Sequence, residues 1–237
     1  MNNVTFIDDP YPIWIIDNFL EDECIKQIKA NWLPNEHHHW HGGHTMVAGE
    51  ENILEQKMLS ISKSEHIPTY IRSVLIDFHS EKFTKEIEEI TGISDLVRDE
   101  SMRWSGMRVM RSGSYQLIHS DARKHPENDL RKEITCLLYI NDDDYNKERD
   151  GGCLEIWDDS MSECKHQIEP INNRFVMFQN SDTSYHGVPF VNRDRKAILF
   201  SVLKNANCTD RNFAEFVSRP NDSESVKIQG KKRGEGK

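Results

Sequence analysis

The chain has 237 residues, 36% of them hydrophobic, with five tryptophans and ten phenylalanines, enough to close one core over about 70–75% of the unfolded surface without staples. A mean hydropathy of −0.72 points to long solvated loops. Thirty Lys and Arg against forty Asp and Glu leave a net charge of −10, which repels a polyanion, so no nucleic-acid partner is expected. No apolar run approaches the ~18 residues of a membrane span. The opening MNNVTFIDDPYP lacks a charged region followed by an apolar one, so neither a membrane partner nor secretion is expected. Five widely spaced cysteines without a C-x-x-C pair read as reduced thiols of a cytoplasmic protein, Cys136 and Cys153 packing as small hydrophobes.

In chain order, an apolar β-like segment Ile13–Ile16 is followed by a helical stretch, Leu20–Leu33. It has Cys24, Ile25, Ile28 and Trp32 on one face and stops at Pro34. Ile67–His79, with Pro68 in the first turn, and Lys82–Thr91, stopped by Gly92, are further amphipathic helices. From Met107 the period changes to two. The runs MRVM (107–110), SYQLIHSD (114–121), ITCLLYI (134–140), CLEIW (153–157), RFVMFQ (174–179), SYHGVP (184–189) and KAILFSVL (196–203) are strands separated by polar turns. The pattern predicts an α+β jelly roll. Residues 1–106 form an N-terminal strand and helices of the same domain, 107–205 the core, and 206–237 an extension disordered from about 220.

The chemistry-bearing pattern is His119-Ser120-Asp121 at a strand end. Residues i and i+2 of a strand project to one face, so an imidazole and a carboxylate there can converge on one cation. His186 lies on another strand that a jelly roll brings alongside. Two histidines and a carboxylate are the facial set typical of non-haem Fe(II). Arg195, nine residues later, offers a guanidinium suited to a carboxylate ligand, though its neighbour Lys196 points to the opposite strand face and competes for that role. Thr135, Leu137 and Tyr139 share one face. If Tyr139 looks inward, Leu137 walls the same pocket and Cys136 and Leu138 pack outside; the alternative for Tyr139 is a core tyrosine. Tyr115 either lines the mouth or packs.

The stretches GSYQLIHSD (113–121), ITCLLYIN (134–141), GGCLEIW (151–157), NRFVMF (173–178) and HGVP followed by RKAI (186–198) occur in an order and spacing that resembles the Fe(II)- and 2-oxoglutarate-dependent dioxygenases, in particular their prolyl-4-hydroxylase-like branch. The resemblance implies a double-stranded β-helix with N-terminal helices covering one sheet. It implies Fe(II) on His119, Asp121 and His186, and the far carboxylate of 2-oxoglutarate on Arg195 and Tyr139. The implied reaction couples decarboxylation of 2-oxoglutarate by O2, to succinate and CO2, with hydroxylation of a substrate such as a prolyl or other protein side chain, a sugar or a small molecule. Ascorbate is a further expectation from the same source. Neither the primary substrate nor the oligomeric state is legible. A cupin-type isomerase and a non-catalytic jelly-roll binding protein stay as alternatives, opposed by the H-x-D pattern and Arg195.

The histidine-rich stretch His37–His44 reads as a loop and not a second metal site. Either it is a flap hinged at Gly42 and Gly43 that closes Trp40 over the mouth, or it is an ordinary surface loop with Trp40 packed on the core.

Overall fold

The computed structural model describes residues 3–42, 46–47, 50–51, 58–206 and 210–224. His44, Gly43, Cys208 and most of the proposed disordered tail lie outside the described residues.

Strands β1 (Val4–Ile7) and β2 (Ile13–Ile16) form an opening hairpin, followed by α1 (Asp22–Ala30), β3 (Met58–Ile61), α2 (Thr69–Phe78) and α3 (Glu81–Thr91). The core then runs β4 (Gly106–Met110), β5 (Gln116–Ser120), β6 (Leu130–Tyr139), β7 (Leu154–Trp157), β8 (Cys164–Ile168), β9 (Phe175–Gln179), β10 (His186–Val188) and β11 (Arg195–Asn205), and β12 (Glu215–Val217) follows. Among the described residues the larger sheet is nine-stranded, with β1-β2-β9-β6-β11-β4-β3 as its main order; the smaller one runs β8-β7-β10-β5-β12. Alternation of the eight core strands between two antiparallel sheets is the double-stranded β-helix expected above, with helices on one sheet.

The helices stop where local chemistry dictates. The Ser80 hydroxyl accepts from the Phe83 amide at the start of α3, and Gly92 ends it at φ +72°, a left-handed cap that a side chain would strain. Pro68 caps α2 from outside its first turn. Ile25, Ile28, Ile71, Leu75, Phe78 and Ile87 from these helices pack against Met107, Val109, Cys136, Leu138, Ile198 and Phe200 on the outer face of the larger sheet. The opposite faces of the same strands turn Leu137, Tyr139, Phe178 and Ala197 into the space between the sheets. Strand alternation thus sends one set of residues to the helices and the other to the interior.

Four of these strands escape the sequence pattern: β1, β3, β8 and β12. Cys164–Ile168 alternates half-buried with exposed positions at a sheet edge, where the apolar signal is weakest. The flap reading of Trp40 is overturned. Its indole is 8% exposed, lies 6.2 Å from Trp32 and donates to the Pro34 carbonyl at 2.8 Å. It is part of the helix-side core, because a large amphipathic ring with its N–H satisfied gains more from burial than a loop tip would allow.

Candidate active site

His119 sits on β5 opposite His186 on β10, in direct register, and their rings are 4.2 Å apart. Asp121 follows β5. One ligand atom from each of His119, Asp121 and His186 lies within 4.8 Å of the others. The His119 Nδ1 donates to the Leu117 carbonyl and the His186 Nδ1 to the Ser184 carbonyl, each at 3.0 Å. Since a carbonyl only accepts, both protons sit on Nδ1, which turns the Nε2 lone pairs toward the site. The His119 Nε2 is 3.7 Å from the Asp121 Oδ1, and Phe216 of β12 stacks on its ring at 5.1 Å. Burial pushes the His186 imidazole below its ordinary range against the pull of the Asp121 carboxylate, so it stays neutral and competent as a ligand. Two imidazoles and one carboxylate are the donor set that suits non-haem Fe(II).

Burial alone would raise the Asp121 pKa, but the neighbouring positive charge, foremost the Lys132 ammonium, holds the carboxyl well below its usual range. Lys132 reaches Asp121 Oδ2 at 2.8 Å and lies 4.8 Å from the centre of the Trp104 ring. Sequence reasoning missed this lysine. By simple alternation it shares a face with Ile134 and Cys136, toward the helices, but a register shift between Lys132 and Ile134 turns it to the Asp121 side. In sequence it is the middle of a charged run, Arg131-Lys132-Glu133, which reads as a solvated strand end.

Across the cavity, Arg195 is 6% exposed. Its Nη2 donates to the Tyr139 hydroxyl at 2.9 Å and its guanidinium carbon lies 4.8 Å from the centre of that ring. Its Nε is buried without a partner, and among the described residues no carboxylate pairs with it. Burial raises the Tyr139 pKa despite the nearby Arg195, so the phenol keeps its proton. Having accepted from Arg195, Tyr139 can donate that proton to an anion. Lys196 points to the opposite side of β11, its amide donating to Asn141 Oδ1. Gly151 and Gly152 turn the chain before β7 at φ +67° and +72°. A Cβ at Gly152 would lie 3.2 Å from Arg195 Cδ and 2.9 Å from the Tyr145 hydroxyl, so the glycine clears room for the arginine stem.

His119, Asp121, His186, Thr135, Leu137, Arg195 and Arg108 line one cavity of about 150 Å³ between the sheets. Tyr115 does not line it. Its ring is buried under Arg219, 4.4 Å away, and its hydroxyl donates to Asp222. His125 is likewise buried, taking the Glu127 amide on Nδ1 and facing Ser101 at 3.2 Å. His37, His38 and His39 also bring ligand atoms within 4.8 Å of one another, on a turn closed by the Trp40 amide on the His37 carbonyl.

Residues 105–202, the segment that carries every one of the cavity residues named above, match the model of the 2OG-Fe(II) oxygenase superfamily. The match spans that segment, about two fifths of the chain, and supports an Fe(II)- and 2-oxoglutarate-dependent dioxygenase that uses O2 for hydroxylation. Solved structures share its fold. A prolyl hydroxylase from Trichoplax adhaerens, in complex with a hypoxia inducible factor peptide fragment, is 17% identical over 81% of this chain and 83% of its own, with a TM-score of 0.56. A prolyl-4-hydroxylase from Pseudomonas putida is 12% identical over 81% and 92%, with a TM-score of 0.55. A prolyl 4-hydroxylase from Phytophthora capsici is 14% identical over 93% and 68%, with a TM-score of 0.54. At these identities the likeness is one of fold. A search of curated proteins by sequence returned no match.

Proposed function

We propose that His119, Asp121 and His186 hold Fe(II), and that Arg195 and Tyr139 bind the far carboxylate of 2-oxoglutarate with Leu137 walling its chain. The observation that carries this reading is the convergence of two Nδ1-anchored imidazoles and one carboxylate on a single point between the sheets. When bound, Fe(II) supplies the activation of O2 that couples decarboxylation of 2-oxoglutarate to hydroxylation. The protein's part is placement. The carbonyls of Leu117 and Ser184 fix both rings, Lys132 fixes the second Asp121 oxygen, and Arg195 supplies a positive charge that water does not screen. The apolar lining from Leu137, Leu154, Phe178 and Val188 excludes bulk water from the reacting atoms.

The primary substrate belongs to the range that such enzymes hydroxylate: a protein side chain such as proline, a sugar or a small molecule. Ascorbate serves as a reductant that restores the iron. The chain works in the cytoplasm; Cys24, Cys136, Cys153 and Cys164 are free thiols, as a reducing compartment would keep them. Among the described residues, no helix is long and apolar enough to cross a membrane.

Anaerobic titration with Fe(II), with and without 2-oxoglutarate, tests the assignment. A charge-transfer band requiring both is expected, and alanine at His119, Asp121 or His186 should remove it together with at least a decade of metal affinity. A wild-type band in His186→Ala refutes the ligand set.

A further inference from the structure

Arg108 is a second arginine in the same cavity, and the reading above gives it no work. It lies on β4, facing Ala197 of β11 on one side and Ser60 of β3 on the other. Met110, two residues along the same face, pairs with Arg195. The two guanidiniums therefore rise from neighbouring strands about 7 Å apart along the strand direction, one side-chain repeat on a shared face.

The surroundings of Arg108 are unlike those of a structural arginine. Among the described residues its one hydrogen bond runs from Nη1 to the carbonyl of Met107, its own neighbour, at 3.0 Å. It ties no two elements together. Among the described residues no carboxylate pairs with it, and Asp121, already engaged by Lys132, is the one acidic residue that lines the cavity. Burial alone pushes its pKa down to about 10. A half-buried guanidinium facing the cavity with no counter-charge among the described residues is costly, and such a group is retained where a ligand supplies the missing charge.

Charge accounting identifies the ligand's chemistry. The two carboxylates of 2-oxoglutarate are committed to the metal and to Arg195. With both in place, the divalent ion, Lys132, Arg195 and Arg108 still outweigh Asp121 and the dianion, so the loaded pocket remains positive. The remaining occupant is the molecule to be hydroxylated.

We propose that Arg108 is the specificity-determining residue for the primary substrate, and that this substrate carries an anionic group, a carboxylate or a phosphate, which Arg108 grips bidentately. The inference rests on the assignment of iron and 2-oxoglutarate above and deepens it by a substrate class.

The test needs no knowledge of the substrate. Protein loaded with Zn(II) and saturated with 2-oxoglutarate is titrated with acetate, acetamide and methyl phosphate, following the methyl resonance of each probe by NMR. Wild type should bind one of the anions at least tenfold more tightly than neutral acetamide, and the tighter anion names the source, carboxylate or phosphate. Arg108→Met should abolish that preference, Arg108→Lys should keep part of it, and in both the affinity for 2-oxoglutarate should stay within about twofold. Equal binding of anions and acetamide by wild type overturns the proposal, as does a preference that survives in Arg108→Met. A tenfold loss of 2-oxoglutarate affinity in Arg108→Met also overturns it, by giving the residue to the cosubstrate. Failure of Zn(II)-loaded wild type to bind 2-oxoglutarate at all is a different result, which removes the cosubstrate assignment itself and the inference with it.

Discussion

Replacing Arg195 by Met separates the role of a cosubstrate anchor from that of a core residue, because the two predict opposite changes in stability. The methionine fills the stem's volume beside Met110 but removes the charge. If a 2-oxoglutarate carboxylate completes this buried pair, its loss costs about 3–5 kcal/mol, a factor of about 100 to 4,000 in affinity. Metal-loaded wild type at 100 times its dissociation constant gains about 2.7 kcal/mol from the ligand. For a chain of this size that is a rise in Tm of about 5–10 °C. At the same concentration a variant weakened 100-fold gains only about 0.4 kcal/mol, a shift of about 1–2 °C. Without ligand, the variant sheds an unneutralised buried cation and loses one hydrogen bond and a cation–π contact to Tyr139, so its Tm should match or exceed wild type. Anaerobic melts with Zn(II) across a 2-oxoglutarate titration measure both quantities, and Zn(II) affinity should be unchanged. A ligand-induced shift of wild-type size in Arg195→Met would refute the reasoning. Tyr139→Phe should weaken 2-oxoglutarate by about fivefold, the worth of one hydrogen bond.

Lys132→Met should destabilise the metal-free protein by about 2–3 kcal/mol, less than a fully buried pair because the Asp121 side chain is 20% exposed. The loss should shrink once Zn(II) supplies the missing positive charge, and equal losses with and without metal in denaturant titrations would show that Lys132 only packs. Trp40→Ala should cost about 3–5 kcal/mol, with coupled and uncoupled turnover falling together as the fold melts. Selective loss of coupled turnover at unchanged Tm would restore the flap reading. His79 is buried against Ser105, and burial, only partly offset by Asp99, lowers its pKa to about 4. The unfolded chain binds this proton near pH 6.5, so its contribution is full above that pH and is lost as pH falls toward 4, up to about 3 kcal/mol. The wild-type stability loss over this window should exceed that of His79→Gln by about that amount, and parallel pH profiles would contradict the assignment.

The proposed iron ligands were legible because strand alternation carries geometry. His119 and Asp121 are two apart, and a jelly roll has few ways to place His186 elsewhere than beside them. Leu137 and Tyr139 followed from the same parity. Lys132 was hidden because one bulge reverses parity, and no single sequence marks a bulge there. Arg108 had the right parity, opposite to Met107 and Val109, yet an arginine in MRVM reads equally well as a solvent-facing charge until a second sheet is known to cover it. Trp40 lacked periodic partners in sequence because those partners, Trp32 and the α-helices, meet it only in three dimensions. The strand Glu215–Val217 is short, half-buried and follows polar residues, so its pairing with Ser120, His119 and Ile118 leaves no local trace.

That last strand also constrains the order of assembly during synthesis. Phe216 covers the ring of His119, and Arg211, six residues past Asn205, donates to the Ser120 hydroxyl at 2.6 Å. The edge of the sheet bearing the first proposed iron ligand is therefore sealed by residues that leave the ribosome some hundred positions after that ligand. Until then β5 lacks the neighbour that covers this edge, and an uncovered edge is a template for pairing with other chains. Closure of that edge thus follows the synthesis of all three proposed ligands, His119, Asp121 and His186.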